Sequence, residues 1–289
     1  FTNVSNARFD DAEAAILKMQ GYEAVYAGCP INPYWLQAVL SPTTYFWMMA
    51  GLNKVYVNDG AGYINITRQL ALAGAPTGAL AGAGAGNLSA GAYTYKITFV
   101  NASGETSGGT TSNTVTVVTP ATDGKINLTA IPLGGTTTTA RKIYRTLAGG
   151  AQHKLVTTIA DNTTTSYVDN IADASLGADV PTSNTADWNY AATVDMRWNG
   201  GILNSIPVLN NSVDDPQMWN PVDTGTKLAA LTAWPANTKC KVLRPFGYFL
   251  VALDITKAST RYPTMVKWSH SADPGTVPNS WNEADPTKD

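Results

Sequence analysis

Tyr93-Thr94-Tyr95-Lys96-Ile97-Thr98-Phe99 places a large apolar side chain at every second position, with Thr94, Lys96 and Thr98 between them. That period of two is the mark of a β-strand with one buried face. Similar short runs follow it: Thr114-Val115-Thr116-Val117, Lys125-Ile126-Asn127-Leu128-Thr129, Lys142-Ile143-Tyr144-Arg145-Thr146, Lys154-Leu155-Val156-Thr157-Thr158-Ile159 and Ser166-Tyr167-Val168. Gly, Asn, Asp or Pro turns separate them. About six short strands over roughly a hundred residues predict a β-sandwich of immunoglobulin or fibronectin size.

Both edges of this segment are marked by composition. On the left, residues 71–91 are of low complexity and include Gly82-Ala83-Gly84-Ala85-Gly86, which reads as a flexible linker. On the right, Ala178-Asp179-Val180-Pro181-Thr182-Ser183-Asn184 breaks the pattern with a proline and small polar residues. Tryptophan respects the same division: Trp35 and Trp47 come early, and the next is Trp188. The expected organisation is one domain in two parts, 1–74 and 183–289, interrupted by an inserted sandwich at 75–182 with its Gly/Ala linker.

The outer parts also read as strands, of a more aromatic kind. Trp35-Leu36-Gln37-Ala38-Val39-Leu40, Tyr45-Phe46-Trp47-Met48-Met49-Ala50, Lys54-Val55-Tyr56-Val57 and Tyr63-Ile64-Asn65-Ile66 form an expected antiparallel meander, with Asn58-Asp59-Gly60 as a tight turn. Ala192-Thr193-Val194-Asp195-Met196 and Ile206-Pro207-Val208-Leu209-Asn210 open a second unit. Cys240-Lys241-Val242-Leu243-Arg244, Tyr248-Phe249-Leu250-Val251-Ala252-Leu253 and Met265-Val266-Lys267-Trp268-Ser269 form a third. Repeated small meanders are the pattern of propeller blades, so the expected fold class is all-β: propeller-like antiparallel meanders, two or three blades being fewer than a closed propeller has, with a sandwich inserted. The exception is Asp10-Asp11 followed by residues 12–19, which reads as the start of a helix with acidic residues at its N-terminus.

At 289 residues, with 14% charged residues and a formal net charge of -2, the chain is long enough for a sizeable core and too weakly charged to grip nucleic acid through its phosphates. No apolar run reaches the roughly 20 residues that span a bilayer. Cys29 and Cys240 belong to no CxxC or Cys/His cluster and read as small buried residues. The opening at Phe1 and the polar end Asp285-Pro286-Thr287-Lys288-Asp289 suggest processing or a piece of a longer protein.

Tyr93-Thr94-Tyr95-Lys96-Ile97-Thr98-Phe99-Val100-Asn101-Ala102-Ser103-Gly104-Glu105 resembles the penultimate strand of a fibronectin type III domain and the turn after it. The stretches that resemble the middle strands of that family, at 142–146 and 154–169, follow it instead of preceding it. The resemblance therefore implies a circularly permuted sandwich whose two ends meet on one side, as an insertion requires. In the outer parts, Phe1-Thr2-Asn3-Val4-Ser5-Asn6-Ala7-Arg8-Phe9, Val242-Leu243-Arg244-Pro245-Phe246, Leu250-Val251-Ala252-Leu253 and Tyr262-Pro263-Thr264-Met265-Val266-Lys267-Trp268-Ser269 resemble segments of bacteriophage tail nozzle or hub proteins. That resemblance implies a virion protein of the phage tail or neck, a structural subunit and not an enzyme. It further implies a ring of copies, six being the expected number, contacts with other tail and neck proteins, transient passage of genomic DNA, and no membrane partner.

The residues offer little chemistry to set against this. His153 and His270 are the only histidines, no GxSxG elbow occurs, and Ser269, His270 and Asp273 are sequence neighbours at a strand end that point in different directions. Asp10-Asp11 and Asp214-Asp215 are the paired carboxylates that a propeller glycoside hydrolase would use, but adjacent pairs fit turns and helix starts better. Asn58-Asp59-Gly60 and Asp123-Gly124 lack the regular acidic spacing of a calcium loop, and Gly82 to Gly86 lacks the lysine of a phosphate loop. No catalytic, cofactor or metal residue is therefore expected. The residues expected at a subunit interface are Trp35, Trp219, Arg244 and Trp281. A virion module that binds carbohydrate or a host receptor through stacked aromatics is the principal rival, and a propeller hydrolase the second.

Overall fold

The computed structural model describes residues 28–41, 44–82, 84–195 and 198–281, together with the backbone of two short strands at 7–10 and 15–18. The chain is all-β, as expected. Strand β1 (Ala7–Asp10) pairs antiparallel with β2 (Ala15–Lys18), which corrects the helix expected over residues 12–19. An eight-residue helix is too short to hold itself in water, and pairing with β1 satisfies the backbone of 15–18 instead. Asp11, residues 12–14 and Met19 lie outside the described residues, as does 1–6 of the nozzle-like opening.

Strands β3 (Trp35–Leu40), β4 (Tyr45–Ala50), β5 (Val55–Asn58) and β6 (Tyr63–Asn65) form an antiparallel meander in chain order. Its last turn is tied by side chains: Asn58 Oδ1 accepts from Gly60 N at 2.8 Å and Asp59 Oδ1 from Ala61 N at 2.9 Å. Alternation sends Val39, Phe46, Met48 and Val57 into a core, while Leu36, Leu40, Tyr45 and Trp47 point the other way.

The middle segment contains β7 (Thr77–Leu80), β8 (Gly91–Tyr93), β9 (Tyr95–Asn101), β10 (Gly104–Glu105), β11 (Val115–Val117), a single helical turn α1 (Pro120–Asp123), β12 (Ile126–Thr129), β13 (Ala140–Thr146), β14 (His153–Ile159) and β15 (Tyr167–Asp169). Three sheets, ordered β10-β9-β13-β14, β15-β12-β7 and β11-β8, fill one core with side chains such as Tyr93, Tyr95, Ile97, Val117, Ile126, Leu128 and Ile143. Two expectations change here. The alternating run 93–99 is two strands: Tyr93 pairs with Val115 and Tyr95 with Arg145, so the chain switches sheets at Thr94. The stretch 71–91 is no flexible linker, because β7 pairs along β12 and Ala73 and Leu88 are buried in the core. Small residues are what allow the chain this close: a Cβ on Gly86 would lie 1.9 Å from the carbonyl oxygen of Gly124.

A polar network is buried inside this core. Arg145, without exposed surface, donates to Asp169 Oδ2 at 2.7 Å and to Asp173 Oδ1 at 2.7 Å, and its guanidinium lies 5.0 Å from the Tyr93 ring centroid. Tyr95 Oη donates to the same Asp169 oxygen at 2.8 Å. Where the chain enters and leaves this segment the two ends run side by side, with Leu70 N donating to Ala186 O and Trp188 N to Arg68 O. Lys54 bonds the carbonyl of Trp188 and sits 3.7 Å from the Asp187 carboxylate.

Strands β16 (Asn199–Leu203), β17 (Ile206–Asn210), β18 (Gln217–Met218) and β19 (Ala229–Ala230) form a second antiparallel meander, and β20 (Thr238–Phe246), β21 (Phe249–Lys257) and β22 (Thr260–Trp268) a third. The strand expected at 192–196 is not formed by Ala192 to Asp195; the meander begins at Asn199 instead. Glycines hide that strand from a propensity reading, yet Gly200, at φ +147, is where a Cβ would meet Val208 O at 1.9 Å. The first strands of the three meanders are neighbours: β16 lies against β20 and touches β3. All five residues of β17 are buried, Leu209 in the core shared with β3–β5 and Val208 in the core shared with β20 and β21. The second sheet is thus the middle layer of a stack of three.

Candidate functional site

The acidic pair Asp214-Asp215 is fully engaged. Asp214 accepts from Ala191 N at 2.8 Å, Asn211 Nδ2 at 2.7 Å and Trp188 Nε1 at 3.3 Å, which pins the turn to the incoming chain. Asp215 turns away to a surface ion pair with Lys239 at 2.5 Å. The two carboxylates serve different partners. The side chains of Asp10 and Asp11 lie outside the described residues. At the end of β22, Ser269 Oγ donates to His270 O at 2.7 Å and accepts from Leu250 N at 3.0 Å, so it closes a strand end and is not presented as a nucleophile. Asp59 and Asp123 likewise bond nearby backbone N–H groups in turns.

No three His, Cys, Asp or Glu side chains converge to hold a metal among the described residues. Cys240 is buried, and burial pushes its thiol up to about 12, so it stays protonated. Cys29, expected to be buried, is exposed, with its sulfur 3.9 Å from that of Met49.

Asp254, which lines an open pocket with Lys239, Lys241 and Arg261, is held below its usual value by the Arg261 guanidinium, while Tyr95 and Glu105 answer to internal partners. Burial and the neighbouring Asp169 raise the Tyr95 hydroxyl far above its ordinary range. Burial alone would raise the Glu105 carboxyl, but hydrogen bonds from Lys142, Thr98 and Tyr144 outweigh it and hold the group below its usual value. These are closed structural networks.

What the fold leaves open is apolar surface on the two outer sheets. On the outer face of β3 and β4, the cross-strand pair Leu40 and Tyr45 is 59% and 73% exposed, with Leu36 and Trp47 beside it. On the outer face of the third sheet, Val251 lies between Arg244 and Trp268 across the strands, and Leu253 between Val242 and Val266. Phe246, Phe249, Val251, Val266 and Trp268 line a shallow apolar groove there, with Phe246 75% exposed. Single exposed apolar residues are ordinary, but contiguous cross-strand rows of aromatics mark an interaction surface.

Of the four residues expected at an interface, one lies on an outer face and three pack against cores. Arg244 is exposed on the outer face of the third sheet, and its guanidinium bonds the carbonyl of Gly200. Trp35 is half-buried against the core between the first two sheets. Trp219 has no exposed surface: its ring meets Phe46 edge-on at 5.2 Å and its indole N–H donates to Thr226 O. Trp281 is buried against Trp234 at 4.8 Å. These two indoles are core side chains, one in the core between the first two sheets and one in the core against the third. The aromatics that do face outward, Tyr45, Trp47, Phe246 and Trp268, were signalled by strands carrying apolar residues on both parities. Comparison of the chain with known protein families and with curated proteins finds no match.

Proposed function

We propose that this protein is a structural subunit of a tailed-phage tail or neck ring, a nozzle or hub component of the conduit through which the genome leaves. In this reading the three stacked sheets are propeller-like blades forming the wall. The sandwich at 75–182 is an inserted, permuted fibronectin-like unit carried on the paired ends near Leu70 and Ala186. The protein works in the virion by shape and assembly, and not as an enzyme.

The observation that carries the reading is the contrast between interior and exterior. Inside, the buried Arg145 and Asp169 and the half-buried Glu105 are closed on one another or on neighbours. Outside, both ends of the stack present aromatic rows. Architecture of that kind favours self-assembly over turnover. The low net charge of -2 suits a wall past which DNA slides without being held. Negative-stain imaging of the purified full chain tests the proposal: a ring with a central channel is expected, and turnover of a polysaccharide lost on Asp214→Asn would replace this reading by a hydrolase.

A further inference from the structure

Strand β17 defines what a strand covered on both faces looks like: Val208 enters one core, Leu209 the other, and no residue of Ile206–Asn210 is exposed. Strands β4 and β21 have the same two-sided apolar composition. In β4, Phe46 and Met48 are buried while Tyr45 and Trp47 are not; in β21, Leu250 and Ala252 are buried while Phe249 and Val251 are only partly covered. Each outer sheet is therefore built like a middle layer whose outer face is left open in part: on the first sheet Leu36, Leu40, Tyr45 and Trp47 are exposed, while Met49 and Asn58 on the same face are buried, Met49 with Cys29 against it.

The packing inside the chain also has a direction. The first sheet meets one face of the second, and the opposite face of the second meets the third. Continuing that order sets the outer face of a third sheet against the outer face of a first sheet. Every copy carries one face of each kind, so the contact joins unlike surfaces and repeats head to tail. The chemistry agrees. Leu36, Leu40, Tyr45 and Trp47 carry no charge, and the opposing rows contribute Val251, Val266 and Trp268; the two guanidinium groups of that face are already occupied, Arg244 by the Gly200 carbonyl and Arg261 by Asp254.

We infer that the outer face of β3–β4 in one copy of this chain docks onto the outer face of β20–β22 in the next, extending the three-sheet stack across the subunit boundary. This rests on the ring reading above and supplies its contact. The test uses the full chain and two single variants, Trp47→Glu and Trp268→Glu, with Leu40→Glu and Val266→Glu as a second pair. Near-ultraviolet circular dichroism checks that each has folded. Sedimentation velocity is then run on the wild type, on each variant alone, and on 1:1 mixtures. The wild type assembles, each variant alone sediments as a monomer, and the mixture stops at a heterodimer, since one intact face of each kind remains.

A variant that still self-dimerises would show like-to-like contact and overturn the inference. An assembly untouched by both pairs would overturn it too, while leaving a ring built through other surfaces. A wild type that remains monomeric would end both the inference and the ring reading.

Discussion

Val208 and Leu209 are consecutive residues of β17, neither with exposed surface, and they enter different hydrophobic cores. A strand whose neighbouring side chains are both buried is a strand with a sheet on each side. From this pair follows the layered order of the molecule, and with it the two unlike outer faces.

Truncating either residue removes packing from one core and leaves a cavity. Leu209→Ala is expected to cost about 2–5 kcal/mol, and Val208→Ala somewhat less because fewer atoms are lost. Guanidinium titration followed by tryptophan fluorescence measures both. A cost below about 0.5 kcal/mol for either would mean that its side of the sheet is not packed.

The middle segment holds its polar network at equal risk. Asp169→Asn takes one of its two charged partners from Arg145, the fully buried one, and leaves Asp173 to hold a guanidinium that has no surface through which to find water. Losing one half of a buried pair costs about 3–5 kcal/mol. Replacing Arg145 and Asp169 with a Met and a Leu, together with Tyr95→Phe so that no hydroxyl is left without its acceptor, is expected to recover part of that loss, since the desolvation cost of both charges disappears. Thermal unfolding of the three variants distinguishes these outcomes.

Gly86→Ala separates a packed segment from a linker. In a linker the change is harmless or slightly stabilising. Against the Gly124 carbonyl it forces the backbone apart and is expected to cost about 1–3 kcal/mol by chemical denaturation.

Acidification weakens the segment through His153. Burial, and then the nearby Lys96 ammonium, hold its imidazole below the ordinary 6.5. The unfolded chain therefore binds the proton more readily than the folded one, so this contribution is complete above 6.5 and is lost as pH falls through the lowered value. Wild type should lose more stability than His153→Gln between about pH 7.5 and about pH 5. Equal losses would mean that other groups carry the acid sensitivity.

Much of this fold was legible in residue order because local signals agreed with the final packing. The β3–β6 meander announces itself through alternation in 35–40 and 45–50 and through Asn58-Asp59-Gly60, and the structure places its strands and turn accordingly. Strands β11 to β15 were equally plain. What escaped was held by long-range contact. The Gly-rich strands β7 and β16 form because partners at β12 and β17 approach closely, and glycine carries no propensity to advertise that. Thr94 marks a change of sheet that unbroken alternation conceals. Trp219 and Trp47 look alike in sequence, yet one fills a core and the other faces outward, a distinction made only by neighbouring sheets. The candidate site was legible in kind, as apolar and aromatic strands, but not in position.

The most direct test is the mass of the purified full chain in solution across a wide concentration range. Stacked sheets with apolar outer faces predict species larger than one chain that dissociate on dilution and close into particles of defined mass when concentrated. A single-chain mass at every concentration would contradict the account.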